Sequence, residues 1–157
     1  MTTASLTPPS EVRLVHNELA SFSRSAAGAD ADISLEEYNE GRILGLFLTP
    51  HNSRARGVGV LCEQFLVIEI GVIGGRWELG YDREDVLLAK RLIDAVIAGR
   101  VVEYFAPRRS RVDVTFLDGT TASETGSHGF GLPTFRRRAS KHWDRTVHYE
   151  PYGEGLS

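Results

Sequence analysis

Apolar and polar positions follow two different periods along this chain, and each change of period marks an element. Val12, Val15, Leu19 and Phe22 recur at helical spacing. Ser10 stands where a cap would stand and Glu11 suits a first turn, so a helix is expected from Glu11 to about Ala27, ahead of Gly28. Residues 28–40 are acidic and read as a loop with a short turn at 34–37. Strand-like runs follow at Arg42–Leu48, Gly57–Cys62, Phe65–Ile73 and Arg76–Tyr81, with Gly74-Gly75 expected as a tight hairpin turn. In the second of these runs Gly57, Gly59 and Leu61 alternate with Val58, Val60 and Cys62, a small-residue face that lets something pack close to the backbone.

The best-marked helix comes next. Asp82 is a candidate N-cap with Asp85 three residues on, and Leu88, Ala89, Leu92, Ile93, Val96 and Ile97 form one apolar face. Gly99 is the expected stop. Strands are then expected at Arg100–Phe105 and Arg111–Leu117, with Asp118-Gly119 closing a hairpin to Thr120–Thr125 and a last strand at 146–149. Tight turns between successive strands imply antiparallel pairing. The expectation is a single α+β domain: a mostly antiparallel sheet of about six to seven strands with two main helices on one face. Residues 1–10 read as a leader, 11–126 as the domain and 127–157 as a basic tail with glycines.

Composition narrows the classes of function. The chain has 157 residues, 41% hydrophobic and 25% charged, enough for one core and against global disorder. Its formal net charge of -3 supplies no overall positive field, so neither nucleic acid nor an anionic membrane is expected as a partner. One cysteine, Cys62, permits no internal disulfide and fits a reducing compartment. There is no run long enough to span a bilayer and no signal-peptide pattern at the start, so a cytoplasmic protein is expected.

Candidate chemistry is sparse. Cys62 lies in an apolar strand and reads as a small core hydrophobe. His142 and His148 are six apart, with no HExxH or CxxC nearby, so no metal and no cofactor is expected. Gly126, Gly129 and Gly131 lead into Leu132-Pro133 rather than a helix, and so do not read as a phosphate cradle. Glu69 stands alone among Ile68, Ile70 and Val72; facing inward it would be a perturbed acid, facing outward it would meet Arg76 or Arg100. A pocket near Gly57, lined by Glu69, Trp77 and Tyr81 with His128 as a further polar group, is the small-molecule or enzymatic alternative. Arg136, Arg137 and Arg138 with His142 and Trp143 combine charge with an aromatic, a pairing used on single-stranded nucleic acid, or else form a solvated tail against the acidic N-terminal region.

In overall construction, residues 42–149 resemble the small immunity proteins of bacterial polymorphic toxin systems. The resemblance rests on size, on the α+β layout, and on Gly75-Arg76-Trp77-Glu78-Leu79 followed by a capped helix and Gly99-Arg100-Val101. It implies a non-catalytic protein-binding module that occludes a toxin domain. Acidic and aromatic surface groups would anchor such a partner: Asp30, Asp32, Glu36, Glu37, Tyr38 and Glu40, with His51 and Arg54 in the connection 51–56. A homodimer joined through strand edges or a helix face is the remaining expectation.

Overall fold

A computed structural model describes residues 7–127 and 142–153. Helix α1 (Pro9–Ala27) begins two residues before the expected Glu11. Ser10 lies inside it, because Pro9 suits the first helical position: its φ is preset and its missing N–H costs no bond. A short 3-10 turn (Gly28–Asp30) leads into the strands.

The acidic stretch expected as a loop is instead an eight-residue strand, β1 (Ala31–Tyr38). Ala31, Ile33 and Leu35 alternate with Asp32, Ser34 and Glu36, a period of two hidden by the density of charge. Charge of this kind is common on a strand with one side open to water. Next come β2 (Ile43–Pro50), β3 (Val58–Cys62), β4 (Leu66–Glu69) and β5 (Arg76–Leu79), each antiparallel to the one before. Together β1 to β5 form one five-stranded sheet in chain order.

Helix α2 (Arg83–Ile97) has the reciprocal cap its sequence announces: Asp82 and Asp85 each accept from the other's backbone N–H. Its C-terminal end is a Schellman arrangement. Arg100 N–H bonds Ala95 carbonyl at 2.9 Å and Gly99 N–H bonds Val96 carbonyl at 3.0 Å, with Gly99 at φ +74°. The second sheet follows, in the order β8 (Thr121–Ser127), β7 (Arg109–Thr115), β6 (Val101–Ala106), β9 (Arg145–His148), all antiparallel.

The α+β class holds, and the nine strands among the described residues divide into two sheets rather than one of six or seven. A single apolar cluster joins them: Leu19 of α1, Leu46 and Val60 of the first sheet, Leu92 and Ile93 of α2, Val112 and Val114 of the second. α1 packs on β2 and on α2, and α2 packs on β7.

One connection departs from expectation in a way that shapes the molecule. Residues 70–73 do not extend β4, and Gly74-Gly75 does not make a two-residue turn. Residues 70–75 form a longer loop, closed by Ile70 N–H on Gly75 carbonyl at 2.9 Å. The loop lies against the second sheet: Gly74 N–H donates to Ser110 Oγ at 2.7 Å and Gly75 N–H to Glu124 carbonyl at 3.3 Å. A Cβ on Gly71 would strike Gly74 carbonyl and the Val112 side chain, and one on Gly74 would strike Ser110 carbonyl, so the approach requires glycine. No helix among the described residues is long and apolar enough to cross a membrane.

Candidate functional site

Strand β1 collects four of the eight residues expected to anchor a partner. Asp32, Glu36, Glu37 and Tyr38 lie on it, Asp30 immediately precedes it, and Glu40 sits in the turn that follows, at φ +58°. His51 flanks it from the end of β2 and meets Asp32, with Nε2 3.0 Å from Oδ1. Arg13 of α1 pairs with Glu37 at 2.8 Å. Arg54 stands apart from this row, 3.5 Å from Glu150.

β1 has a ladder partner on one side only among the described residues. His51 N–H donates to Asp30 carbonyl, which fixes the parity of the β1–β2 ladder. By alternation the main-chain groups of Asp32, Ser34, Glu36 and Tyr38 turn towards β2, and those of Ala31, Ile33, Leu35 and Glu37 turn to the open side. Leu35 and Tyr38 are each 42% exposed. Tyr38 borders the outer face of the first sheet, where the Phe47 ring lies over Gly45 and Gly59. A Cβ on Gly45 would come within 2.7 Å of Phe47 and 3.4 Å of Tyr38, so the small-residue face expected in β3 serves as a floor for aromatic rings.

The residues proposed for a pocket do not converge. Glu69 turns outward and bonds Arg76 directly across the ladder at 2.8 Å. Trp77 turns to the opposite face and is buried in the core. Tyr81 donates its hydroxyl to Glu63 carbonyl at 2.6 Å, and burial raises its pKa. Gly57, Gly59 and Glu69 do line an open trough of about 340 Å³ with Arg56 and Thr49. His128 and Arg136–Arg138 lie outside the described residues. Cys62 is wholly buried, and its thiol is pushed up to about 12 by burial, which removes it as a nucleophile near neutral pH. Among the described residues no group of three or more His, Cys, Asp or Glu side chains is placed to hold a metal.

The carboxylate that faces inward is a different one. Glu103 of β6 is fully buried and accepts three hydrogen bonds: from Tyr149 hydroxyl at 2.6 Å, Ser110 hydroxyl at 2.6 Å and Val72 N–H at 2.8 Å. Burial, then the bond to Glu103, raises the pKa of Tyr149. The cluster ties together loop 70–75, the second sheet and the chain after β9. Its signal was in the alternation: Val101, Glu103 and Phe105 share a parity, and Glu103 falls opposite Val112. With Ser110 also fully buried, the cluster forms a hydrogen-bonded junction between these three parts of the chain.

Comparison with protein-family models, with curated proteins and with solved structures gives no match to this chain.

Proposed function

We propose that the protein is a non-catalytic binding module that docks a protein partner along the open side of β1. The observation that carries this is the exposed eight-residue strand, whose outward main-chain groups run beside Leu35 and Tyr38. An unpaired strand edge is a template for an added strand, with main-chain bonds for affinity and alternate side chains for selectivity. Asp32, Glu36, Glu37 and Glu40 favour a basic partner. They also oppose pairing of β1 with a second copy of itself, because like charges would face each other across the new ladder. An inhibitor of the immunity type, occluding a toxin domain, is one form such a module takes.

Capture from extract of the source cells tests this, with the intact chain and an Asp32→Lys/Glu36→Lys variant side by side. A basic protein retained by the first and lost from the second is the expected result. Equal retention by both, or no retained protein, would remove the proposal. The trough beside Glu69 favours no second reading, since Glu69 is paired with Arg76 and Trp77 lies on the other face.

A further inference from the structure

The solvent face of the second sheet has a different chemistry. Alternation turns Val101, Glu103 and Val112 to the core and leaves Tyr104, Arg109, Arg111 and Asp113 on the outside. Trp143, just before β9, lies over them. Its ring centre is 6.2 Å from that of Tyr104, with the planes tilted by 46°. The Arg109 guanidinium stands 4.5 Å from the Trp143 ring centre, and that of Arg111 stands 4.5 Å from Tyr104. Asp113 lies 3.1 Å from Arg111 Nε and steers it across the ring. Two rings and two planar cations therefore interleave on an open sheet. Beside them β8 exposes hydroxyls at Thr125 and Ser127, while that of Ser123 donates to Asp113 at 2.7 Å.

On this face Arg109 and Arg111 stand against the carboxylate of Asp113, whereas the whole chain carries a formal net charge of -3. Five of the 21 acidic residues, with no Lys or Arg between them, lie in 30–40, on and beside the edge of the other sheet.

We infer that this face binds single-stranded nucleic acid. Unpaired bases stack on exposed aromatic rings and on arginine planes, while phosphates take hydrogen bonds from arginine and from serine or threonine hydroxyls. A duplex offers no unstacked base to such a platform, and a polyanion without bases meets only its charge. The inference is independent of the β1 reading, because it uses other residues on the other sheet.

A fluorescein-labelled twelve-nucleotide oligouridylate, titrated with the full chain, tests it by anisotropy and by tryptophan emission. Trp77 is buried in the core, so quenching on binding reports Trp143. Saturable binding is expected, weakened about tenfold by Trp143→Ala and by Tyr104→Ala. Affinity should fall as salt rises. Trp143→Phe should keep most of the affinity and lose the quench, which separates stacking from misfolding. Absence of binding would overturn the inference. So would equal affinity for a twelve-base-pair duplex or for inorganic polyphosphate, or unchanged affinity in a Trp143→Ala protein whose thermal melt matches the parent.

Discussion

The first sheet turns Asp32, Glu36, Glu69 and Glu78 outward around a glycine-floored aromatic patch, whereas the second turns out Arg109 and Arg111 interleaved with Tyr104 and Trp143. Their inner faces are both mainly aliphatic and meet in one apolar cluster with α1 and α2; the first adds Cys62 and Trp77, and the second buries the Glu103–Ser110 pair. Folding constrains the inner faces in the same way and leaves the outer ones free to diverge. The divergence is therefore where function is to be sought, and the inner junction, together with the shared apolar cluster, keeps both outer faces on one body.

Breaking that junction should have the largest effect. Glu103→Leu keeps the bulk but leaves Tyr149 hydroxyl, Ser110 hydroxyl and Val72 N–H without their acceptor in the interior. A loss of about 3 kcal/mol or more is expected in urea unfolding. A loss below about 1 kcal/mol would mean that the sheets are joined by apolar packing alone. Asp82→Ala removes half of the reciprocal cap of α2, which packs between α1 and β7, and should cost about 1 kcal/mol by the same measurement.

Glu18 gives a smaller and pH-dependent effect at the contact of α1 with α2. Bonds from Arg83 at 3.0 Å and Lys90 at 3.1 Å hold its carboxyl below the usual carboxylate range. A lowered folded pKa stabilises above the unfolded value and is lost as pH falls through the folded one. Glu18→Gln should therefore cost up to about 0.5 kcal/mol at neutral pH, a value reduced by partial exposure. The difference from the parent should close in acid, and melts at neutral and low pH check this. A difference that grew in acid would reverse the assignment. The smallest stability effect belongs to Asp32→Lys/Glu36→Lys, within about 0.5 kcal/mol of the parent. That near-silence is what allows it to report on binding.

Those elements differ in how far their residues announce them. Helix α2 is legible because Asp82, Asp85 and Gly99 act within a few residues of one another, and local chemistry decides the outcome. β1 is obscured because its acids suggest a solvated loop, although Ala31, Ile33 and Leu35 keep strand parity. Ile70, Val72 and Ile73 continue the pattern of β4, yet the backbone here is held at Val72 by Glu103 and at Gly74 by Ser110, from a sheet that the chain has not yet built. Only the register between distant strands reveals this. The same holds for the candidate sites. Asp32, Glu36 and Tyr38 can be picked out singly, but their alignment on one open edge depends on the β1–β2 ladder. Glu69 and Trp77 seem to share a pocket until the ladder places them on opposite faces.

Hydrogen exchange on β1 in the complex with a captured partner, followed residue by residue, addresses the proposed docking mode most directly. Added-strand docking should slow the amides of Ile33, Leu35 and Glu37, which point away from β2, and leave those of Ser34 and Glu36 as slow as they already are. A complex that forms while the outward amides keep their free rates would contradict docking along this edge.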